Sequence, residues 1–405
     1  MKLIKGLYNQ ARVYASLVDD GTLEQIHELV DQEFTKDSSI AIMPDCHEGV
    51  GCVIGTTMTI SDKVVPFLVG VDVGCGMLVA KFKKENLSLE EVDKYIHEHI
   101  PAGLTVNKRQ VKFKTEIEKM RCWQYLRNPD YLKKSMGTLG GGNHFIEIDT
   151  DDEGFYYLVI HTGSRNLGKQ VAEFYQKKAV ENLKNKRITQ IHELVDKLKS
   201  EGKNNLIDLE IKKLKDYYNT LKDGLCYLEG EELADYLFDM EIAQKFASEN
   251  RMRILKKILN FLDLNIYKLE VFESIHNYIN MEDMILRKGA ISAYPGEKVI
   301  IPINMKDGCI IGLGKGNKDY NYSAPHGAGR LLSRKEAKEN ISLEDYQKSM
   351  EGIYSTCINN NTIDESCFAY KTLNDILPCI KDTVEVIKII KPIYNFKSSE
   401  DQKLW

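Results

Sequence analysis

The stretch FYYLVIHTGSRNLG, residues 155–168, decides the fold class because a strand signal and a helix signal meet in it. Residues 155–160 are aromatic and β-branched, and they predict a strand that ends at His161. After a glycine turn, residues 169–260 change to proline-free runs rich in Lys, Glu and Leu, which predict two or three long helices. The sequence therefore predicts a helical insertion within a β-rich core.

Outside this stretch, short strands and helices follow one another irregularly. Residues 40–43, 53–60 and 299–303 have the composition of strands, and residues 22–34 and 88–100 have the spacing of helices. A doubly wound sheet needs strands and helices in strict alternation, and that alternation is missing. The sequence therefore favours an α+β fold.

Composition and charge limit the function classes. The chain has 405 residues, of which 43% are hydrophobic and 28% charged, and this excludes fibrous and disordered classes. The net charge of −5 gives no sign of a nucleic-acid partner. Residues 106–134, however, hold nine Lys and Arg against three acids. This basic segment is either a phosphate-binding surface or a solvated face.

Targeting signals and cysteine usage predict the compartment. The first eight residues contain no apolar segment of a secretory signal, and the longest apolar stretch, residues 64–80, is interrupted by Asp72. The nine cysteines form neither a disulfide framework nor a CxxC pair. We therefore expect a cytoplasmic protein with reduced thiols and no membrane segment.

A set of polar residues beside glycines predicts a metal centre. Asp72 and Cys75 lie three positions apart in the turn GVDVGCGM, where glycines allow both side chains to face one point. Five histidines also lie beside glycines or at strand ends: His47, His144, His161, His276 and His326. Imidazole, thiolate and carboxylate together suit Mn²⁺, Zn²⁺ or Fe²⁺. Cys75 alone would be a small buried thiol, but with the histidines it favours a metal ligand.

Two glycine-rich turns predict phosphate binding. The sequences GGGN at 140–143 and HGAGR at 326–330 expose backbone N–H groups of the kind that hold phosphate oxygens. Arg165 and Arg330 add forked donors. The residues alone thus support metal-assisted phosphoryl or nucleotidyl transfer with a histidine available as nucleophile.

Six motifs in this chain resemble those of the RtcB family of RNA-splicing ligases, in the same order and over residues 4–397. They are DVGCG at 72–76, GNHFIE at 142–147, HTGSR at 161–165, HN at 276–277, RKGA at 287–290 and HGAGR at 326–330. The resemblance implies one RtcB-like catalytic domain over residues 1–397 and a polar tail at 398–405. In that domain, mixed and antiparallel sheets would surround a metal and nucleotide cleft.

The resemblance also implies an activity. The expected enzyme is a GTP- and Mn²⁺-dependent ligase that joins an RNA 3′-phosphate or 2′,3′-cyclic phosphate to a 5′-hydroxyl end, in tRNA splicing or RNA repair. His326 would attack the α-phosphorus of GTP and carry GMP to the RNA 3′-phosphate. The expected ligands of two Mn²⁺ ions are Asp72, Cys75, His144, His161 and His276. An archease-type activating protein is the further partner that the resemblance suggests.

Further roles are carried over from the same resemblance. Glu147 would accept hydrogen bonds from guanine, Tyr370 would stack on the ring and Lys397 would contact it. The full expected GTP site is Asn143, His144, Phe145, Ile146, Glu147, His276, Asn277, Pro302, Ile303, Asn304, Met305, Cys309, His326, Gly327, Ala328, Gly329, Tyr370 and Lys397. Arg165 and Arg330 are candidate RNA contacts.

Asp45 and His47 match a further family stretch, MPDxHxG. They would orient metal ligands or contact the RNA end. Hydrogen bonding at the end of a strand is the structural alternative for both residues.

The chain departs from the family pattern in the expected nucleotide site. Residues 302–305 read PINM where the family has PGSM, Cys309 replaces a serine, and Pro325 precedes the expected nucleophile. Two other functions therefore stay open. One is a GTP-dependent enzyme that caps a 3′-phosphate without ligation, and the other is a non-catalytic, metal-containing RNA-binding module.

Overall fold

The computed structural model describes residues 1–219 and 221–399, and the structural statements that follow refer to these residues. Most of the chain in this range lies in short strands and in helices of very different length. The strands are β1 Lys2–Lys5, β2 Gln10–Val13, β3 Ile40–His47, β4 Ile54–Thr59, β5 Lys63–Val64, β6 Gly76–Phe82, β7 Phe145–Thr150, β8 Tyr156–Thr162, β9 Leu228–Glu229, β10 Glu270–Ile275, β11 Asn277–Asn280, β12 Ile285–Lys288, β13 Ala290–Ser292, β14 Lys298–Asn304, β15 Gly308–Gly314, β16 Ser323–Pro325 and β17 Val384–Phe396.

The helices begin at clear capping residues where the sequence offers them. Asp19 accepts a hydrogen bond from the backbone of Thr22, Ser88 accepts one from Glu91, and Ser333 forms a full capping box with Glu336. The α-helices are α1 Asp20–Val30, α2 Pro66–Val69, α3 Leu89–His99, α4 Pro129–Lys134, α5 Asn166–Ser200, α6 Ile207–Asn219, α7 Gly230–Phe261, α8 Arg334–Asn340, α9 Leu343–Ser349 and α10 Leu373–Ile380.

Two large sheets form the β-rich core. One has the strand order β1-β2-β3-β4-β12-β11, and the other has the order β10-β6-β8-β7-β17-β15-β14. Strands β2 and β3 are parallel, and the other neighbours in these sheets are antiparallel. The seven-stranded sheet curls until its edge strands lie side by side, where Ile300 N donates to Ser274 Oγ at 3.2 Å. Helices and mixed sheets together confirm the α+β fold.

The long helix α7 packs against two of the hydrophobic cores. Its first half, including Met240 and Phe246, is buried in the core that also holds residues of α2, α5 and the six-stranded sheet. Its second half, including Ile254 and Ile258, is buried in the core behind β6, β7 and β8. At about 1.5 Å per residue, its 32 residues span about 48 Å, enough to join the two cores.

The sequence predicted some of these elements and missed others. The strand predicted at 155–160 is β8, which runs on through His161 to Thr162. The predicted helical stretch 169–260 contains α6 and most of α5 and α7. Strand β17 was not predicted, although it lies between β7 and β15. The single-domain organisation stays a prediction, and of the predicted polar tail, residues 400–405 lie outside the described residues.

The membrane expectation has a structural counterpart. Within the described ranges, no helix combines the length and apolar character needed to cross a bilayer.

The Arg251 side chain joins α7 to the ends of the strands. It is fully buried, its Nη1 donates to the carbonyl oxygens of Gly74 and Thr162 at 2.7 and 2.6 Å, and its Nε pairs with Glu273 at 2.6 Å. A buried guanidinium is tolerated only with such partners, so this contact fixes the helix against both turns.

We expect Arg251→Met to destabilise the fold by about 3 kcal/mol, because it leaves two buried carbonyls and Glu273 without their donor. Lys256→Met is the matched control, since Lys256 is exposed on the same helix, and it should change the stability by less than about 0.5 kcal/mol. Urea denaturation of both variants measures the difference. Equal stabilities for the two variants would show that Arg251 does not hold this junction.

Candidate metal centre and nucleotide cavity

Strand register brings the five predicted metal ligands together. Cys75 immediately precedes β6, His144 precedes β7, His161 lies near the end of β8, and His276 follows β10. In the antiparallel register Met77 and Phe145 both face His161, and Gly76 faces Ile275. The four neighbouring strands therefore deliver their polar residues to the same edge of the seven-stranded sheet, and Asp72 reaches it from the preceding turn.

The ligand atoms lie within contact distance of one another. Cys75 Sγ is 3.4 Å from His144 Nε2 and 3.5 Å from His161 Nε2, and His161 Nε2 is 3.4 Å from His276 Nε2. The donor atoms form two groups, Asp72–Cys75–His144 and Cys75–His161–His276, each within 4.8 Å. Cys75 belongs to both groups, so it is placed to bridge two ions.

Hydrogen bonds outside the cluster fix the orientation of its ligands. His144 Nδ1 faces the carbonyl oxygen of Leu139 at 3.1 Å, so this nitrogen must be the donor. Its Nε2 then points towards Asp72 Oδ2 at 3.0 Å and towards the Cys75 sulfur. The Asp72 carboxylate, His144 Nε2 and the Cys75 sulfur thus surround one point that a cation could occupy. The donor set suits Mn²⁺ or Zn²⁺.

Asp72 is held by the turn that follows β8. Its Oδ1 accepts from the backbone N–H and the hydroxyl of Ser164 at 3.1 and 3.2 Å. Gly163 allows this close approach, because a Cβ there would lie 2.3 Å from the carboxylate. Burial opposes ionisation, but the His144 hydrogen bond and the Arg165 charge outweigh it and lower the pKa of Asp72.

Three of the other ligands, Cys75, His161 and His276, have pKa values shifted towards their neutral forms. Burial first, and then the positive charges nearby, lower the pKa of His161 and of His276 well below the usual range. Burial and the Asp72 charge raise the pKa of Cys75 well above its usual range. Neutral imidazoles are the form that binds metals, whereas the thiol needs a cation to become a thiolate. Metal binding at this cluster would therefore release a proton from Cys75.

His326 lies beside this cluster but has a different partner. Its ring centroid is 4.8 Å from that of His276, and its Nδ1 is 2.7 Å from Asp45 Oδ2. The same carboxylate oxygen accepts from the backbone N–H groups of His326 and Gly327 at 3.1 and 3.2 Å. Asp45 of the MPDxHxG stretch therefore contacts His326 directly, whereas the prediction for Asp45 and His47 was that they orient metal ligands or contact the RNA end. His47 bonds to the Asp45 carbonyl oxygen at 2.9 Å, and burial lowers its pKa.

The loop after β16 fits closely against Asp45. Gly329 has a φ of +79°, and a Cβ at this position would lie 2.2 Å from the Asp45 carbonyl oxygen. The Lys371 backbone donates to Gly329 O at 3.0 Å, while its buried ammonium donates to the carbonyl oxygens of Pro44 and Cys46 at 3.0 and 3.3 Å. Lys371 therefore ties the loop of His326 to both sides of Asp45.

A cavity of about 370 Å³ opens next to His326. It is large enough to enclose most of a nucleotide-sized ligand. Its lining is His47, Glu48, Ile54, Asn143, Phe145, Glu147, His161, Pro302, Ile303, Asn304, Met305, His326, Gly327, Ala328, Gly329, Arg330, Arg334, Glu365, Tyr370, Asn395 and Lys397.

A buried acid arranges the cationic side of this cavity. Glu365 Oε2 accepts from Lys397 Nζ and from the Tyr370 hydroxyl, both at 2.9 Å, and Glu365 Oε1 accepts from Arg334 at 2.6 Å. Burial raises the pKa of Glu365, but the charges of Lys397, Arg334 and Arg330 outweigh it and lower the pKa to about 2. Arg330 donates to the Tyr370 hydroxyl at 3.0 Å. Glu365 therefore stays ionised and fixes the residues around Tyr370.

Several predicted site residues lie outside the cavity lining; of the expected GTP site these are His144 and His276, which belong to the metal cluster, and Ile146, Asn277 and Cys309. The Ile146 side chain is in the core behind β7, and Cys309 is fully buried beneath Glu147. Asn277 holds the Asp72 turn, since its Nδ2 donates to Asp72 O at 3.1 Å. The Arg165 side chain is buried and donates to Thr138 Oγ1 and Gly103 O at 3.0 and 2.7 Å.

The structure adds functional candidates that sequence reasoning missed. Glu48, Ile54, Arg334, Glu365 and Asn395 line the cavity. Glu48 lies between His47 and Gly49, inside a glycine-flanked histidine segment, whereas the other four lie in no such segment. The short sequence distance between Glu365 and Tyr370, and that between Asn395 and Lys397, could have suggested the last two.

Comparisons with known proteins point to one family. The family model described as tRNA-splicing ligase RtcB matches residues 25–128 and 125–398. The chain is similar to the RNA-splicing ligase RtcB of Escherichia coli strain K12, with 31% identity over 396 residues that cover 87% of this chain and 88% of the relative. It is also similar to the tRNA-splicing ligase RtcB of Aeropyrum pernix, with 26% identity covering 83% and 82% of the two chains. A third relative, the tRNA-splicing ligase RtcB of Thermococcus kodakarensis, is 24% identical, covering 94% and 92%.

The two ligand groups predict that metal binding depends on Cys75. At free Mn²⁺ about one hundred times its Kd, binding at one site should stabilise the fold by about 2.7 kcal/mol. Cys75→Ala should lose most of this stabilisation, because it removes a ligand common to both groups. Calorimetric titration and thermal unfolding with and without Mn²⁺ measure the effect.

Cys226→Ala is the matched control for this prediction. Cys226 is also buried, but its thiol contacts the carbonyl oxygen of Lys222 and no member of the two groups. This variant should bind Mn²⁺ as the unchanged protein does. If Cys75→Ala also bound the same number of ions with the same Kd, Cys75 would not be a ligand.

Proposed function

The chain belongs to the RtcB family and is an RNA ligase, and on that premise we propose that it joins an RNA 3′-phosphate to a 5′-hydroxyl end through a histidine-bound GMP. A 2′,3′-cyclic phosphate would first be opened by hydrolysis. The observation that carries this proposal is the position of His326. Its imidazole faces the cavity, is held by Asp45 at 2.7 Å, and lies against His276 of the metal cluster.

The contact with Asp45 selects the reactive nitrogen of His326. Because Nδ1 keeps its proton and donates a hydrogen bond to the carboxylate, the lone pair is on Nε2. Nε2 would attack the α-phosphorus of GTP, so that a P–N bond forms and pyrophosphate leaves with the electrons of the broken P–O bond. An oxygen of the RNA 3′-phosphate would then displace the imidazole and take over GMP. Finally the 5′-hydroxyl would attack the 3′-phosphate, and GMP would leave.

The metal cluster lies beside His326, so it would be close to the reacting phosphates. We propose that Asp72, Cys75, His144, His161 and His276 hold two Mn²⁺ ions, which would neutralise phosphate charge and align attacking and leaving oxygens. The shared position of Cys75 and the neutral state of the two buried histidines support this role.

Several groups that line the cavity are suited to a guanine base. Glu147 offers carboxylate oxygens, which can accept from the N–H groups of guanine, and Lys397 offers a donor. Tyr370 offers an aromatic face, and its hydroxyl is fixed by Arg330 and Glu365. The backbone of residues 327–329 and the Arg330 guanidinium also line the cavity. Arg330 remains a candidate for RNA phosphate contacts, whereas the Arg165 side chain is buried and bonded to Thr138 and Gly103.

We also propose the cellular setting of the reaction. All nine cysteines lie among the described residues and are free thiols, which fits a reducing cytoplasm where Cys75 stays available as a ligand. An archease-type activating protein and a single catalytic domain over residues 1–397 rest on the family resemblance. The physiological RNA is one with a 3′-phosphate or cyclic phosphate at one end and a 5′-hydroxyl at the other, in tRNA splicing or RNA repair.

The decisive variant is His326→Ala. It should bind Mn²⁺ and GTP but form no acid-labile adduct with α-labelled GTP, because the attacking nitrogen is gone. It should nevertheless seal an RNA whose 3′ end already carries GMP, since that step uses the metal cluster and the 5′-hydroxyl. Gel detection of labelled protein and of ligated RNA measures both steps.

His47→Ala is the matched control for this prediction. His47 also lines the cavity and contacts Asp45, but through the backbone carbonyl, so this variant should still become labelled. Labelling of the His326→Ala protein would refute the assignment, and loss of labelling in His47→Ala alone would transfer it to His47. A protein that is labelled, and caps a 3′-phosphate, but never ligates would support the capping alternative.

The basic segment 106–134 is the proposed path of the RNA backbone. Five of its cations form ion pairs, including Arg121 with Asp235 and Arg127 with Glu173. Lys112 and Lys114 are exposed and have no ion pair among the described residues. Tyr125 is 62% exposed and stacks on Phe174, so it offers an aromatic surface to a base.

Reversing the charge of Lys112 and Lys114 to Glu should weaken RNA binding and lower the slope of log Kd against log salt by about 1 to 2, because fewer counterions are released. Reversing Lys212 and Lys215, two exposed lysines on α6, changes the net charge equally and should leave the slope unchanged. Filter binding at several salt concentrations measures both. Equal slopes for the two double variants would show that the segment is a solvated face.

A further inference from the structure

Beneath the cavity, two acidic residues share one face of β7. Glu147 and Asp149 are two positions apart on this strand, so their side chains point to the same side of the sheet. Glu147 lines the cavity, whereas Asp149 lies two residues further along β7 and is fully buried. Cys309 on β15 completes the group. One carboxyl oxygen of each acid and the Cys309 sulfur lie within 4.8 Å of one another.

The two acids differ in the partners they have. Asn395, opposite Glu147 on β17, donates to Glu147 Oε2 at 2.6 Å, and the Cys309 thiol donates to Glu147 Oε1 at 3.7 Å. Neither carboxyl oxygen of Asp149 has a hydrogen-bond partner among the described residues. Glu147 is thus provided with donors, and Asp149 is provided with none.

Two neighbouring buried carboxylates cannot both stay ionised at neutral pH. An ionised Asp149 would be a buried charge without a donor, next to a second negative charge, which is the more costly arrangement. A protonated Asp149 has its own donor and meets its hydrogen-bonding need at Glu147. Burial, and then the Glu147 charge, raise the pKa of Asp149 well above its usual range, while the Cys309 thiol and Lys391 act in the other direction. Burial also raises the pKa of Glu147, and hydrogen bonds from Asp149 and Asn395 act against that rise.

We propose that Asp149 is a positioning residue that carries a proton at neutral pH and donates it to Glu147. The back of the Glu147 carboxylate is then occupied by three donors: Asp149, Asn395 and Cys309. The oxygens that face the cavity remain acceptors in a fixed orientation. This inference rests on the proposed binding of a nucleotide base at Glu147, and it explains how a buried acid at that position stays ionised.

The consequence is selectivity between purines. A carboxylate held as a pure acceptor favours bases that present N–H groups along one edge, as guanine does with N1–H and its amino group and as hypoxanthine does with N1–H alone. Adenine presents an unprotonated N1 at this edge and would be repelled. Loss of the Asp149 proton donor should therefore act on base recognition and leave the chemistry at His326 unchanged.

Infrared spectroscopy of the full-length protein at pH 7 tests the proton directly. A protonated carboxyl group absorbs above the amide I band, and this absorption should be present in the unchanged protein and absent from Asp149→Asn. Persistence of the band in Asp149→Asn would overturn the proposal. So would a stoichiometric metal ion, measured by elemental analysis after dialysis, that disappears in both Asp149→Asn and Cys309→Ser, because the three groups would then be ligands.

Kinetics of covalent labelling with GTP, ITP and ATP test the function of the proton. Asp149→Leu keeps the branched shape of the side chain but has no donor, so KM for GTP should rise about tenfold or more while kcat stays within about threefold. Asp149→Asn retains a donor and should restore most of the lost affinity. Equal KM values for Asn and Leu variants would overturn the positioning role, and if the Leu variant did not fold, the infrared band and the Asn variant would still decide.

The proposed function can fail separately from this inference. If the unchanged protein is labelled by none of the three nucleotides, the histidine-bound GMP is refuted. The infrared band would in that case still confirm or refute the proton on Asp149.

Discussion

The buried guanidinium of Arg251 is the contact on which the arrangement of the site depends. It joins α7, the helix that packs on both cores, to the carbonyl oxygens of Gly74 and Thr162. These carbonyls belong to the segments that carry Cys75 and His161. A buried cation leaves little freedom in the position of its acceptors, because each lost hydrogen bond would expose a desolvated charge. The helical block therefore does more than cover the β-rich core, since it holds two strand ends at the separation that places their side chains in contact.

Once those strand ends are fixed, the polar residues at them are forced into a dry environment. His161 and His276 are almost completely buried, and their Nε2 atoms lie 3.4 Å apart. In the absence of a cation, such a cluster costs stability, because His161 Nδ1 is buried without a hydrogen-bond partner among the described residues. Divalent ions would offset this cost by giving the facing Nε2 atoms a partner. The metal binding that we propose would therefore be coupled to folding at this edge.

The sequence was sufficient to predict the motif residues, but it was not sufficient to predict the residues that surround them. Glycine turns identify Asp72, Cys75 and His326 because close backbone approach leaves a local signature. Glu365 and Asn395 lie in no glycine turn, and they reach the cavity through packing against Lys397 and the long-range pairing of β17 with β7. The alternation in β17 is blurred by lysines and a proline, so its place between β7 and β15 could not be predicted. Cys309 was expected to line the nucleotide site, but strand alternation turns its side chain beneath Glu147.

The completed cavity has a polarity of its own. Glu147 is supplied with donors from behind, which leaves acceptors facing inward. The backbone N–H groups of His326 and Gly327 are held by Asp45, and the metal cluster lies beside His326. Glu365, whose pKa is lowered to about 2, keeps Lys397 and Tyr370 in place before any ligand arrives. A ligand that satisfies both Glu147 and the metal cluster needs N–H donors on a flat ring and negative charge. The guanine nucleotide that we propose has both, and because the lining groups are already fixed, little of its binding energy would be lost in ordering the protein.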